Sequence, residues 1–337
     1  MKIGNKEDLV NKIIGLVSNV ITGAVLRCRM KGKHEAGDMR FPLVAAVRSG
    51  NSTEVARLLA KPGADLTLRD KDGRTILHSL VPELVKLADS EKAPVYDCID
   101  LLLAKGADVN AGDNQGNSPL ADAVKLGDVK TVEFLLKNGA NVNNRDNNGK
   151  TALHAFFLVS GPVYIRHINR EVNLAQIEAH IAEMLVRNGG DVNAADNQGN
   201  SPLADAVKLG DVKTVELLLN NGANANTRDN EGKTPLHLIN TIVADRSTPG
   251  QIKKITEMLI HRGADVNARD NKQRTPLFFS RLDCMCVMID CGADVNARDE
   301  EGKTPIFCVK SKKCLETLIE KGADIQAADR EGRKYCQ

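Results

Sequence analysis

The stretch Asp196–Asn224 reads DNQGNSPLADAVKLGDVKTVELLLNNGAN. Ser201 is placed to cap a helix, and Pro202 stands in the first turn of that helix, where a missing N–H costs nothing. Gly210 supplies the left-handed residue that ends this short helix, and Asp211 is placed to cap a second one. The second helix carries apolar residues at i, i+3 and i+4, which is typical of a helix with one buried face. The stretch therefore predicts a polar turn followed by two short helices.

The same pattern recurs along the chain. Two intervals between copies are 33 residues, and the others differ from 33 by insertion or deletion. One such unit is too small to bury its own apolar face, whereas stacked copies bury it against each other. The recurrence therefore predicts an all-α solenoid. Its copies are marked by a Gly-(Ala or Gly)-(Asp or Asn) tripeptide that begins at Gly63, Gly106, Gly139, Gly189, Gly222, Gly263, Gly292 and Gly322.

The composition argues against a nucleic-acid-binding protein. Hydrophobic residues make up 42% and charged residues 27% of the 337 residues, so the chain can bury a core. Aromatic residues make up only 3%, which is too few for a base-stacking platform. A formal net charge of +2 does not provide the concentrated positive field that phosphate binding needs. We therefore expect no nucleic-acid partner.

The cysteines and the apolar segments indicate a cytoplasmic protein. Eight cysteines are scattered over the whole length, unlike the dense disulfide framework of a small secreted domain. The longest apolar stretch, Ile13–Leu26, has only fourteen residues, too few to span a bilayer as a helix. Glu7 and Asp8 precede it, unlike the basic head of a secretory signal. We therefore expect a reducing compartment, no membrane span and no secretory signal.

Two sequence motifs resemble those of the ankyrin-repeat family. TPLH stands at Thr234–His237, with variants at 75–78, 151–154, 275–278 and 304–307. GADVNA stands at 106–111, 263–268 and 292–297. The resemblance implies an ankyrin-repeat solenoid of about eight helix-turn-helix repeats, which binds other proteins through its hairpin tips and inner helices. It also implies a structural role for the recurrent His78, His154 and His237.

The resemblance divides the chain into a repeat domain and two ends. Apolar residues share one face of a helix near the start of the chain, and we interpret this helix as an N-terminal cap. A membrane-surface helix and a partner-binding segment are the alternatives for it. The predicted boundaries are 1–36 for the cap and a basic linker, about 37–69, 70–111, 112–145, 146–195, 196–228, 229–269, 270–298 and 299–328 for the repeats, and 329–337 for a C-terminal tail.

Two patterns go beyond the repeat itself. Asp113–Glu133 and Asp196–Glu216 are identical over 21 residues, which indicates either a recent duplication or two equivalent contacts with one ligand. Repeats two, four and six also carry extra residues, near Pro82–Pro94, Ser160–Asn173 and Ala244–Gln251. We expect these insertions in the turn between the two helices, where they would form a row of ridges.

Partner-binding residues are predicted from their positions. Tyrosine and arginine are favoured at binding hot spots, so Tyr164, Arg166 and Arg170 of the second insertion are candidates, unless Tyr164 only covers its loop. Tyr96 either binds a partner or packs on its own helix. The candidates at hairpin tips are Lys71, Asp72, Asn114, Gln115, Asn147, Asn197, Gln198, Glu231, Lys272, Glu300 and Glu301, and those on inner helices are Asp122, Lys125, Asp205, Lys208 and Phe278.

Three motifs that suggest chemistry have structural interpretations. Gly-Lys-Thr at 149–151, 232–234 and 302–304 lacks the first glycine of a phosphate-binding loop. The five cysteines between Cys284 and Cys314 lack the paired spacing of a zinc knuckle, and we interpret them as small half-buried thiols, with metal binding or redox sensing as alternatives. We expect no cofactor and no enzymatic activity.

One modification is suggested by a further resemblance. Leu102 with Asn110, Leu185 with Asn193 and Leu259 with Asn267 resemble the substrate pattern of asparaginyl hydroxylases that act on ankyrin repeats. The alternative is that these leucines and asparagines are simply repeat consensus.

The sequence as a whole predicts a monomeric, non-enzymatic protein-interaction module, either an adaptor or a scaffold. The alternatives are a microbial effector that acts on a protein in the host cytosol, a regulatory subunit, and a metal-binding or redox protein that uses the cysteine cluster.

Overall fold

Each repeat from the second onward opens with a turn that one aspartate organises. The Oδ1 atom of this aspartate accepts hydrogen bonds from the N–H groups two and four residues further on, at 2.8–3.0 Å. Such Asx turns close a tight loop without help from a sheet. The turns begin at Asp70, Asp113, Asp146, Asp196, Asp229, Asp270, Asp299 and Asp329.

Two helices follow each complete turn. The computed structural model describes residues 40–61, 64–155, 174–241, 248–309 and 311–335, and Pro42–Gln337 form one unit. The first helices are Arg40–Arg48, Ile76–Leu84, Pro119–Lys125, Ala152–Ala155 and Pro202–Leu209, continued by 3-10 helices at Pro235–Thr241, Pro276–Phe279 and Pro305–Cys308. The second helices are Ser52–Leu59, Asp89–Ala104, Val129–Lys137, Leu174–Arg187, Val212–Asn220, Pro249–His261, Leu282–Asp290 and Lys312–Glu320.

The helix ends in the fifth repeat confirm the local predictions. The Ser201 hydroxyl accepts the N–H of Ala204, and Pro202 follows at the first helical position. Gly210 ends the helix in the left-handed region, at φ 71°. The Asp211 carboxylate then caps the second helix. These features are local, so a short stretch of sequence is enough to predict them.

Two parts of the helix prediction are corrected by the structure. The first helices of repeats six, seven and eight are 3-10 rather than α-helices. In repeat two, Pro82 lies inside the first helix and Pro94 inside the second, so the insertion there mostly lengthens helices, and the turn between them is short. The predicted N-terminal cap, the whole second insertion and residues 244–247 of the third lie outside the described residues. The rest of the third insertion caps and begins the helix Pro249–His261.

The second helices alternate in length through most of the stack. They have 16, 14 and 13 residues in repeats two, four and six, against 8 or 9 in the other repeats. The alternation supports a unit of two repeats. The apolar faces of both helices form a continuous core, in which Leu185, Leu203 and Leu259 are fully buried.

Asparagine side chains join the tips of successive turns. In each rung of this tip ladder, Nδ2 donates to the carbonyl of the first tip residue of the preceding turn, and the asparagine N–H donates to the carbonyl of the following residue. The donor–acceptor distances are 2.8–3.1 Å. The rungs are made by Asn114, Asn147, Asn197, Asn230 and Asn271.

A glycine faces each rung because a Cβ atom would collide with the asparagine. At Gly199, with φ +81°, an added Cβ would lie 2.9 Å from the backbone nitrogen of Asn230. In repeat seven, Gln273 stands at the glycine position, at φ 63°. Glu300 replaces the asparagine of the next turn, and within the described structure it bonds to repeat seven through its backbone N–H but not through its side chain. The glycine is therefore required where the ladder is formed.

A second set of asparagines clamps the end of each repeat to the end of the next. Here Nδ2 donates to the carbonyl of the glycine that ends the following second helix, and Oδ1 accepts the N–H two residues after that glycine, at 2.7–3.2 Å. The clamps are made by Asn110, Asn143, Asn193, Asn226, Asn267 and Asn296.

Bonds from the recurrent histidines, and from the arginines that directly precede the turns, occur at alternate junctions among the described residues in the middle of the stack. The ring nitrogens Nε2 of His78, His154 and His237 donate to carbonyls of the next turn at 2.8–3.1 Å. Arg69, Arg145 and Arg228, which directly precede the turns of the histidine-containing repeats, also donate to backbone carbonyls at the start of the next turn. Within the described residues, the junctions between repeats three and four and between repeats five and six have neither bond. Alanine stands at the histidine position there, as Ala121 and Ala204, and Gly112 and Ala195 stand at the arginine position.

The last repeats keep the arginine bond but lose the histidine. In repeat six, the Thr234 hydroxyl donates to Nδ1 of His237 at 2.9 Å. In repeats seven and eight, phenylalanine replaces the histidine, and the buried hydroxyls of Thr275 and Thr304 have no hydrogen-bond partner among the described residues. A buried hydroxyl without a partner lowers stability.

Gly199→Ala should lower the free energy of unfolding by about 1–3 kcal/mol, because alanine is strained at positive φ and would displace the Asn230 rung. Urea unfolding followed by circular dichroism measures this effect. The control is Gln273→Gly, which should leave stability unchanged or raise it. An unfolding midpoint of Gly199→Ala equal to that of the wild type would contradict the requirement for glycine opposite the Asn230 rung.

Thr234→Val and Thr275→Val should have opposite effects. The first removes the hydroxyl that holds His237 and should cost about 1–2 kcal/mol, whereas the second removes an unpartnered buried hydroxyl and should be neutral or stabilising. Thermal unfolding of both variants under one buffer condition distinguishes them. Equal destabilisation by both would show that the Thr275 hydroxyl is satisfied after all.

Candidate partner-binding surface

All the predicted tip residues are exposed, but they differ in what their side chains already do. The side-chain amides of Asn114, Asn147 and Asn197 are donors in the tip ladder. Gln115 and Gln198 accept hydrogen bonds from asparagines of their own turns. These five side chains therefore hold the scaffold as well as facing solvent.

The charged tip residues fall into two groups. Glu231 and Glu301 each pair with a lysine of their own turn, at 2.5 Å. The other four have no hydrogen bond or ion pair through their side chains within the described part of the chain. These four are Lys71, Asp72, Lys272 and Glu300.

The two identical segments place the same polar group on the first helices of repeats three and five. We call Asn117, Asp122 and Lys125 the first patch, and Asn200, Asp205 and Lys208 the second patch. In the second patch, Nζ of Lys208 lies 2.7 Å from Oδ1 of Asn200 and 3.4 Å from Oδ1 of Asp205. In the first patch, Nζ of Lys125 donates to Oδ1 of Asn117. Both patches therefore link a first helix to its own turn, on the surface that the hairpins share.

The patches differ in their neighbours. Nζ of Lys150, from the turn of repeat four, lies 3.3 Å from Oδ2 of Asp205 and 3.7 Å from Oδ2 of Asp196. Asp205 is 8% exposed and is thus enclosed by these lysines. Asp122 is half-buried, and burial raises the pKa of its carboxyl, although His78, Lys125 and Arg74 act in the opposite direction.

Phe278 lies inside the stack. It is 6% exposed and stands at the position that histidine occupies in repeats two, four and six. A buried ring is not available to a partner, so Phe278 is not part of the surface described here. Tyr164, Arg166 and Arg170 lie outside the described residues.

Tyr96 packs on the neighbouring repeat rather than on its own helix alone. Its ring stacks on Phe134 with a centroid distance of 4.3 Å, and its hydroxyl lies 3.1 Å from Oγ1 of Thr131. Burial raises the pKa of Tyr96 to about 12. One turn earlier in the same helix, the buried Lys92 reaches Asp128 at 2.8 Å. The extra helical turns of repeat two thus cover repeat three, a contact that the sequence did not predict.

The three asparagines predicted as hydroxylation targets are all clamps. Asn110 is half-buried, whereas Asn193 and Asn267 are exposed, and the amide of each bonds to the next repeat. The clamp position could have been found from the sequence, because an asparagine recurs four residues after most of the glycines that end second helices. Their hydroxylation stays a prediction.

The cysteine cluster is divided between the interior and the surface. Cys284 and Cys314 are buried, Cys286 is half-buried, and Cys291 and Cys308 are exposed. Burial raises the pKa of the Cys284 thiol, which lowers its reactivity. Within the described ranges, no group of three or more histidine, cysteine or acidic side chains is arranged to hold a metal ion. In those same ranges, no helix has the length and apolarity needed to cross a membrane.

A stack of helix pairs joined by Asx turns is the architecture of a helical repeat protein, and comparisons identify the family. A family model for ankyrin repeats in three copies matches residues 87–156 and 173–239, and a single-repeat model matches residues 231–271. The chain belongs to the ankyrin-repeat family. Ankyrin repeats are protein-interaction modules and are generally non-enzymatic.

A solved structure has the same architecture. The crystal structure of the ankyrin repeat domain of Bcl-3, described as a unique member of the IkappaB protein family, is 25% identical, with a TM-score of 0.57. The match covers 76% of this chain and 100% of that one. No curated protein matches the sequence.

Acidification should destabilise the stack between pH 7.5 and 5.5. Burial lowers the pKa of His154 and of His237 below 6.5, so the unfolded chain takes up protons first as the pH falls. Protonation of each histidine should lower the free energy of unfolding by at most about 1.4 kcal/mol for each unit by which its pKa is lower in the folded than in the unfolded chain. Urea midpoints measured across it should fall, and the double variant His154→Gln, His237→Gln should show a flatter dependence. A slope unchanged in the double variant would refute the assignment.

Proposed function

We propose that this chain is a monomeric, non-enzymatic adaptor that binds a protein partner on the surface formed by hairpin tips and first helices. The observation that supports this proposal is the repeated polar patch around Lys125 and Lys208. Small apolar side chains are sufficient for a helix to stack, yet this surface carries charged groups that are identical in two repeats.

The charge and burial of the patches fit a protein surface. Lys125 and Lys208 are half-buried, so their positions are fixed while their ammonium groups remain reachable. Groups held in place lose little entropy when a partner binds. The unpaired tip residues Lys71 and Asp72 precede the first patch by one repeat and extend the same polar surface. Every cysteine in the described residues is a free thiol, which supports a reducing compartment, and the proposal places the adaptor in the cytoplasm.

The test is a quantitative pull-down from cell lysate with variants of the full chain as bait. Lys125→Ala together with Lys208→Ala should reduce recovery of a stoichiometric partner at least about tenfold, which corresponds to about 1.4 kcal/mol. The matched control is Lys130→Ala with Lys213→Ala. These two lysines belong to the same identical segments but are exposed on the second helices, so the control should retain the partner.

Two outcomes would contradict the proposed surface. Equal recovery by both double variants would exclude the patches. Loss of the partner only when the Ser160–Asn173 insertion is shortened would assign binding to that insertion. Thermal unfolding of each bait shows whether a loss comes from misfolding, and an assay of the partner's own activity with and without the chain distinguishes recruitment from inhibition.

A further inference from the structure

The identical segments allow one surface to be compared in two environments. Asp113–Glu133 and Asp196–Glu216 have the same sequence and form the same turn, first helix and start of the second helix. Any difference between their side-chain contacts therefore comes from the neighbouring repeats. The two aspartates at the centre of the patches show such a difference.

In the second patch, a cation from a neighbouring repeat occupies the aspartate. Nζ of Lys150 lies 3.3 Å from Oδ2 of Asp205, while Lys208 approaches Oδ1 at 3.4 Å. Both carboxylate oxygens are thus paired with ammonium groups. This arrangement shows that the aspartate of the patch can accept a lysine side chain that arrives from outside its own segment.

In the first patch, no cation is paired with the equivalent aspartate. Within the described residues, the Asp122 carboxylate has no hydrogen bond and no ion pair. Lys125 is held by Asn117 instead, and Arg74, which stands where Lys150 stands in the other copy, makes no ion pair with Asp122. Burial raises the pKa of Asp122 and outweighs the opposing charges of His78, Lys125 and Arg74, which agrees with a carboxylate that has no ion-pair partner.

We propose that Asp122 receives a lysine or arginine side chain of the protein partner, at the place that Lys150 occupies against Asp205. The inference rests on the proposed function and names one chemical feature of the partner. A carboxylate that is already half-desolvated loses less hydration when a cation arrives than an exposed one does, so the pair adds more affinity than a rim ion pair.

The test uses a random dodecapeptide phage library selected against the full wild-type chain. Enriched peptides are synthesised, and their affinities are measured by fluorescence anisotropy for wild type, Asp122→Asn and the control Glu216→Gln, which removes an exposed carboxylate on a second helix outside both patches. The expected result is a shared lysine or arginine in the peptides, a loss of at least about tenfold with Asp122→Asn, and a change below about twofold with Glu216→Gln. Thermal unfolding of both variants verifies that they are folded.

A double-mutant cycle separates direct pairing from an indirect effect. Norleucine replaces the peptide lysine, or citrulline the arginine, and this change should weaken binding to wild type but not weaken binding to Asp122→Asn further. Additive losses would overturn the inference. Peptides that bind the patch surface without a cation, or independently of Asp122, would overturn it while leaving the adaptor proposal intact. If no peptide binds the wild-type chain above background, both proposals are rejected.

Discussion

Each repeat depends on its neighbours to satisfy the backbone groups at its edges. Buried or crowded backbone N–H and C=O groups need hydrogen-bond partners, and a short helix pair cannot provide all of them. In this stack, side chains of the adjacent repeats supply them: clamps such as Asn193 come from the preceding repeat, and tip rungs such as Asn230 come from the following one. Because these bonds join only adjacent repeats, stability is transmitted from neighbour to neighbour along the chain.

The histidine and arginine bonds divide the middle of this array into pairs. Both bonds join repeat two to three, four to five and six to seven. In the described part of the chain, the junctions after repeats three and five have the asparagine rungs and clamps but neither of these two bonds. The small side chain of Ala121 leaves a crevice of ≈ 20 Å³ at the first of these junctions, lined also by Thr151 and Lys150. At the second junction, Arg262 of repeat six donates to Leu219 and Asn220 of repeat five, so another arginine supplies bonds there.

The sequence predicted what local chemistry determines. Asx turns, the caps at Ser201 and Asp211 and the left-handed Gly210 depend on residues within a few positions of each other, so single-sequence reasoning finds them. The prediction for repeat two was wrong because proline is typical of turns, whereas Pro94 lies inside a helix. There it packs against Gly50 of the preceding repeat, where an added Cβ would lie 2.7 Å from the Pro94 side chain. The asparagine rungs and clamps between repeats were also missed, since Asn230 and its acceptor are 33 residues apart in the chain.

The candidate site has the same dependence on neighbours. Residue type and spacing are identical in the two patches, yet Asp205 is enclosed by lysines and Asp122 is not. The same holds at the starts of the second helices, where Asp128 is paired with the buried Lys92, while the corresponding Asp211 bonds only to its own helix among the described residues. The carboxylates of a duplicated segment can therefore be paired with lysines in one copy and lack such a pair in the other. The difference is made by the residues that the flanking repeats bring to it, which no motif within the segment can show.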